Sequence, residues 1–284
     1  MSGGPQIARL PDGRLHLQHG PIDLVIEAWG ARDEVAAAYR QAVDRFGDIL
    51  ETLVCELAIL RAPIGEARPA LAGPVARRMA EAVWPYRDVY ITPMAAVAGA
   101  VADEMLAAML KDRTLARAYV NNGGDIAFHL ASGETLRTAV VASIAAPDLD
   151  AIATLTSDMP IRGLATSGWR GRSFSLGIAD SATVFARTAA TADAAATIVG
   201  NAVDVHHPAI ERRPASSLRD DTDLGDLSVT TAVGMLPAWA VSTALEAGAA
   251  KAQELQARGL IWGGAVSLQG EWRLVLPSRP LQAQ

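Results

Sequence analysis

Ala182-Thr-Val-Phe-Ala-Arg-Thr-Ala-Ala-Thr-Ala-Asp-Ala-Ala-Ala-Thr-Ile-Val-Gly-Asn-Ala-Val203 is the stretch that decides the fold class. Its first five residues, Ala182 to Ala186, carry the β-branched and aromatic side chains of a strand. From Ala189 to Val203 alanine dominates, and alanine costs least in a helix. Strand gives way to helix within two residues, yet no regular strand–helix–strand alternation runs along the chain. That combination predicts α+β rather than a parallel α/β sheet. Asp193 and Thr197 stand four apart and share one face of the helix. A carboxylate and a hydroxyl are hard oxygen ligands suited to Mg²⁺, which keeps waters and also grips a phosphate. The plainer reading is that Asp193 decorates a first turn, where the helix dipole favours negative charge.

Working outward, Ile7 to Ile26 reads as two strands around the Pro11-Asp12-Gly13 turn. Val35, Tyr39, Ala42, Phe46, Ile49, Leu53, Leu57 and Leu60 recur every three or four residues, so one long helix is expected over Arg32–Leu60. Cys55 lies off that stripe and reads as a small semi-buried thiol rather than a nucleophile. Three prolines and two glycines make 63–74 a loop. Thr92-Pro93 is a hydroxyl N-cap followed by proline at the first helical position, opening a helix of very small residues over Pro93–Leu110. Arg117 to Asn121, Ile126 to Leu130 and Leu136 to Ser143 read as strands. A second amphipathic helix, Trp239–Arg258, carries the stripe Val241, Leu245, Gly248, Ala252 and Leu255 and closes at Gly259. A terminal hairpin turns at Gln269-Gly270. The polar 206–226 stretch is expected to be an exposed loop and 277–284 a frayed tail, in one domain spanning 1–284.

Two further segments could carry chemistry. Asn121-Asn122-Gly123-Gly124-Asp125 supplies two glycines where a hairpin turn needs positive φ. The same glycines could bring main-chain N–H groups to an anion, with Asp125 as a polar anchor. Ala165-Thr166-Ser167-Gly168-Trp169-Arg170-Gly171-Arg172 gathers hydroxyls, glycines and two arginine forks, a composition that suits a diphosphate and also suits an ordinary exposed loop. No G-x-S-x-G surrounds Ser167, which argues against a serine hydrolase. His206-His207 lacks a third ligand at metal-site spacing.

Composition sets outer bounds. The 284 residues carry 25 Lys plus Arg against 31 Asp plus Glu, a net charge of −6 that argues against a general nucleic-acid binder. One cysteine excludes an internal disulfide framework. The apolar run from Pro93 to Ala102 is interrupted by Asp103 and Glu104, short of the roughly 20 residues that span a bilayer. Met1-Ser-Gly-Gly-Pro-Gln shows no secretory pattern, so a cytoplasmic protein without membrane or nucleic-acid partners is expected.

Taken in order, these segments resemble the ApbE superfamily, the flavin transferases that move FMN from FAD onto a protein threonine. Ala95-Ala-Val-Ala-Gly-Ala-Val-Ala-Asp103 looks like that family's Gly-x-Ala-Lys-Gly-Tyr-Ala-Val-Asp helix. Val120 to Asp125 looks like its strand ending in Gly-Gly-Asp/Asn, and Ala165-Thr-Ser-Gly168 is similar to its Ala-Thr-Ser-Gly loop. Thr191 to Thr197 is similar to the helix that supplies a magnesium-binding Asp and Thr. More closely, the chain resembles an uncharacterised ApbE-allied branch that carries Thr-Pro-Met-Ala-Ala-Val-Ala-Gly-Ala, here Thr92 to Ala100, and Asp-Leu-Gly, here Asp223 to Gly225.

The resemblance implies an ApbE-like α+β fold of antiparallel sheet layers packed against long helices. It also implies a small-molecule site formed by Gly123, Gly124, Asp125, Thr166, Ser167, Gly168, Arg170 and Arg172, with FAD as the dinucleotide and Mg²⁺ on Asp193 and Thr197. Two features depart from the transferases. Between the Ser-Gly loop and the strand before the metal helix they carry His-Ile-x-Asp-Pro-x-Thr-Gly, where this chain has only Trp169 to Asp180, and their helix lysine is Ala98 here. The expectation is a phosphate-ligand-binding protein, with Mg²⁺-dependent phosphoryl or FMN transfer that is poor at best. The alternatives are a flavin or nucleotide binding protein and a metabolic enzyme acting on a different small molecule. A homodimer is compatible with this reading.

Overall fold

The computed structural model describes residues 4–140 and 151–276. Its strands begin with β1 (Gln6–Arg9), β2 (Leu15–His19) and β3 (Ile22–Gly30). Helices α1 (Arg32–Phe46), α2 (Ile49–Cys55), α3 (Leu57–Leu60), α4 (Pro74–Val83) and α5 (Val97–Leu110) follow. Next come β4 (Leu115–Asn122), β5 (Asp125–Leu130), β6 (Thr135–Val140), β7 (Ala151–Thr156), β8 (Gly163–Ser167) and β9 (Ser181–Ala186). The chain continues with α6 (Ala189–Ala202), β10 (Ile210–Pro214), β11 (Ser228–Val233), α7 (Ala238–Ala257), β12 (Gly263–Leu268) and β13 (Glu271–Val275).

Among the described residues nine strands form one sheet in the order β1-β2-β3-β4-β5-β8-β9-β12-β13. Every neighbouring pair is antiparallel, so the expected α+β class holds. β6–β7 and β10–β11 form two smaller sheets. Helices α1, α5, α6 and α7 share the main hydrophobic core with the sheet. Phe128, Leu130, Leu155, Ile161, Leu164 and Phe185 make a second cluster with residues of β6 and β7. Strands β9 and β12 lie between the two clusters and are buried along their whole length.

The abundance of small residues has a direct structural use. A Cβ at Gly99 would stand 2.3 Å from the Ala189 carbonyl oxygen, and one at Gly163 would stand 2.1 Å from the Ala189 nitrogen. Helix α5 and strand β8 therefore meet the first residue of α6 backbone against backbone. The stripe read on the last long helix is buried as expected, and Gly259 closes it at φ +71°.

Several local readings change. Residues 7–26 hold three strands rather than two, because Gly20 at φ +56° turns the chain again after His19. The helix expected over 32–60 breaks at Asp48 and Glu56, whose backbones leave the helical region. Glu56 turns its carboxylate to accept from the Ala72 and Gly73 N–H groups at 2.7 and 2.9 Å, ahead of α4. That helix, with Pro74 in its first turn, was not legible in the sequence. Pro93–Ala96 is a 3-10 turn, and the Thr92 hydroxyl donates to the Asp223 carboxylate instead of capping the helix.

The stretch Pro93–Leu110 has 18 residues and a mean hydropathy of 1.4, so its apolar run extends past the interruption at Asp103 and Glu104. It is long and apolar enough by composition to cross a membrane, but half of it is buried inside the fold, where it packs as a core helix. The 206–226 stretch is not all loop: β10 and a 3-10 turn at Ala215–Ser217 lie within it. The expected strand over 136–143 is seen over Thr135–Val140, and its remaining residues, like the expected tail 277–284, lie outside the described residues.

Candidate functional site at the start of helix α6

The first turn of α6 is fixed from two sides. Within the helix, Thr188 at the N-cap accepts from the Thr191 N–H at 3.2 Å. From α5, the two oxygens of Asp103 accept from the Ala189 and Ala190 N–H groups, each at 2.9 Å. A carboxylate borrowed from another helix thus satisfies donors that a helix start leaves unpaired. One turn further on, Asp193 faces back to α5 and accepts from the Gly99 N–H at 3.0 Å.

The β4–β5 hairpin arrives at the same place. Asn122 donates its side-chain amide to the Ala98 carbonyl at 3.1 Å. Gly123 and Gly124 form the two-residue turn at φ +66° and +111°, and the Asn121 side chain accepts from the Gly124 N–H at 2.8 Å. Asp125 then opens β5 and accepts from the Thr166 N–H at 3.3 Å. The Thr166 hydroxyl is shared with Thr183 at 2.9 Å. Ser167 packs beside Gly200 of α6, its hydroxyl 3.7 Å from where a Cβ would stand. The guanidinium of Arg172 rests on the hairpin turn, so close that a Cβ at Gly123 would come 1.7 Å from Nη2.

Electrostatics at this junction are unusual. Burial pushes the Asp193 carboxyl well above the ordinary carboxylate range, and the charges of Asp125 and Asp103 push it the same way against the Gly99 and Ala98 N–H groups. Burial raises Asp125 to about 7, opposed by the Thr166 N–H and by Arg172. Asp103 is raised as well, again by burial, against its two backbone donors. Packing carboxylates together in low dielectric disfavours their ionised forms. Carboxylate oxygens are the hard ligands that a divalent cation takes. Thr197 lies one turn beyond Asp193 on the same helix and is half-buried. No group of three or more His, Cys, Asp or Glu among the described residues is spaced to cage a metal. A cation there would complete its shell with waters or ligand oxygens.

Gly123, Gly124, Asp125, Thr166, Arg172 and Asp193 are therefore brought together as the sequence suggested. Arg170 is not. Its guanidinium lies over the Trp169 ring at 4.7 Å and 4.0 Å from Asp180. The bidentate cap from Asp103 and the tie from Asn122 carry no mark in the sequence, because each depends on which element it meets. Thr92 and Asp223, read apart as marks of one branch, are hydrogen-bonded partners. His207 accepts from the Ala209 N–H and packs edge-on against Trp239, which leaves it a loop residue.

A family model described as "AbpE bacteria" matches residues 7–274. A UPF0280 protein of Archaeoglobus fulgidus is 41% identical over 116 residues, 40% of this chain and 45% of the relative. A UPF0280 protein of Methanothrix thermoacetophila is 40% identical over 133 residues, 46% of this chain and 53% of the relative. The chain spans about half the length of these curated relatives. Among solved structures, a point variant of the flavin transferase ApbE from Vibrio cholerae aligns with 96% of this chain and 97% of its own, at 12% identity and a TM-score of 0.44.

Proposed function

The chain belongs to the AbpE bacteria family, and from that premise we propose that it binds a flavin or another phosphate-bearing small molecule together with Mg²⁺ and is a poor FMN transferase. One observation supports the reading above all others: Asp125, Asp193 and Arg172 converge from three separate segments, two raised carboxylates beside one guanidinium. Asp193 and Thr197 would hold the cation, with Asp125 beside them. Bound there, Mg²⁺ would neutralise phosphate charge during phosphoryl transfer. Arg172, on the glycine turn, would orient the phosphates through its planar fork. Thr166 and Ser167 at the end of β8, a stretch that reads as loop in the sequence, and Gly168 just after them would offer hydroxyls and a backbone N–H to the same group.

The poor-transferase half rests on Ala98, which stands where the transferases carry lysine, and on the short interval from Trp169 to Asp180. Losing one preorganised charge partner of a reacting phosphate costs about 10²–10³ in rate. Arg170 does not replace it, since Trp169 and Asp180 occupy its guanidinium. These departures equally favour a binding protein or an enzyme with another substrate. A cytoplasmic location and a homodimer belong to the same proposal, and light scattering that gives a monomer mass would remove the dimer.

The deciding experiment is native mass spectrometry of the purified protein, followed by incubation with FAD, Mg²⁺ and a threonine-containing acceptor. The expected result is a retained or added flavin or adenine nucleotide, with AMP release slow over hours. Rapid AMP release with a flavinylated acceptor would overturn the poor-transferase half. Failure to bind FAD, FMN or any adenine nucleotide would overturn the binding half and leave the enzyme with a different substrate.

A further inference from the structure

The segment that carries Arg172 leaves β8 at Gly168 and returns to β9 only after Asp180, and one carboxylate closes it. The Trp169 N–H donates to the Ala179 carbonyl at 3.0 Å, and Gly171 turns back onto Gly168 at 3.0 Å. Asp180 then uses both oxygens. Oδ1 accepts from the Trp169 indole N–H at 3.2 Å, with Arg170 Nε 4.0 Å away. Oδ2 accepts from the Gln269 N–H at 2.7 Å. Gln269 occupies the left-handed region at φ +48°, a conformation that a non-glycine side chain adopts only under constraint. Its own side chain accepts from Leu236 N–H at 3.1 Å and donates to the Gly234 carbonyl at 2.8 Å. One mostly buried carboxylate, 14% exposed, thus joins the Arg172 loop, the β12–β13 turn and, through Gln269, the segment ahead of α7.

We propose that Asp180 is a positioning residue: by accepting from Trp169 on one oxygen and from Gln269 on the other, it fixes the loop that sets Arg172 against the Gly123 turn. This rests on the reading of that turn as the phosphate-binding edge of the site. The chemistry requires a carboxylate. Both partners are N–H donors, so an Asn would turn its own NH₂ against one of them, and a buried donor left without an acceptor is costly. Arg170 follows from the same geometry as a brace, stacked on Trp169 and drawn to Asp180, which explains why it is absent from the site.

The test compares the parent chain with Asp180→Asn by hydrogen–deuterium exchange and by titration with Mg²⁺ alone and with ADP plus Mg²⁺. Exchange over 168–172 and at the Gln269 turn should rise about tenfold or more while β4 and α6 keep their protection. Affinity for ADP should fall about tenfold, and affinity for Mg²⁺ alone should stay as in the parent, because Asp193 and Thr197 are untouched. A purely structural role would loosen the whole domain and weaken both ligands together, and that result would overturn the proposal, as would unchanged exchange over 168–172. Should Asp180→Asn fail to fold, Trp169→Phe removes the indole N–H while keeping an aromatic ring, and must loosen the same loop. If the parent binds neither ADP nor FAD, FMN or any other adenine nucleotide, the proposed function fails, while the exchange comparison still decides the role of Asp180.

Discussion

Gly123 and Gly124 are neighbours in one turn, yet they answer to different constraints. Both have positive φ, so alanine at either is strained, by about 1 kcal/mol. Only at Gly123 would the new methyl collide with Arg172; nothing lies within 4 Å of a Cβ at Gly124. Gly123→Ala should therefore lower ligand affinity per folded molecule, while Gly124→Ala should lower stability alone. Titration of both variants at matched folded fraction separates them, and equal affinities would take the turn out of the site. Asp193→Ala gives the complementary result. It deletes a carboxyl whose ionised form burial and its neighbours disfavour, so the fold should survive while Mg²⁺ affinity drops at least about tenfold. Calorimetric titration showing parental Mg²⁺ affinity would contradict the assignment of Asp193 and Thr197.

At the scale of elements, α6 is placed by its neighbours more than by its own sequence. Thr188 supplies an ordinary cap, but the Ala189 and Ala190 N–H groups depend on Asp103 of α5. Asp103→Ala should cost about 1–2 kcal/mol in denaturant unfolding, the usual range for a lost cap. It should also shift the hydroxyls and carboxyl that α6 presents, so Mg²⁺ affinity should fall with it. Gly99→Ala should be worse, at about 3 kcal/mol or beyond, because the obstacle at 2.3 Å is the Ala189 backbone and cannot rotate away. A Gly99→Ala protein with parental stability would mean that α5 and α6 do not cross this closely.

For the whole molecule, the raised carboxyls tie stability to pH with a definite sign. Asp125 holds its proton up to about pH 7 in the folded chain, against an ordinary value of 3.8. Between those values the folded state binds more protons than the unfolded state, so this contribution to stability is complete below the ordinary value and is lost as pH rises through 7. Asp193 and Asp103 act in the same direction. With respect to these groups the metal-free protein should be more stable near about pH 5 than near about pH 8, and Mg²⁺ should raise the melting temperature more at the higher pH, where Asp125 ionises. Thermal melts with and without Mg²⁺ at both values check this, and an equal Mg²⁺ effect at both would contradict it. The sequence by itself determined the α+β class, the closely packed alanine helix, the glycine hairpin and the order of the site segments, because each follows from local propensity, periodicity or positive-φ demand within a few residues. Only the tertiary structure decided that Asp103 caps α6, that Arg172 but not Arg170 reaches the hairpin, that Thr92 serves Asp223 rather than its own helix, and that the 32–60 helix breaks where Glu56 turns toward α4. Those choices hinge on which donor meets which acceptor across tens of residues, and that is settled when the sheet and helices pack, not by the spacing of residues along the chain.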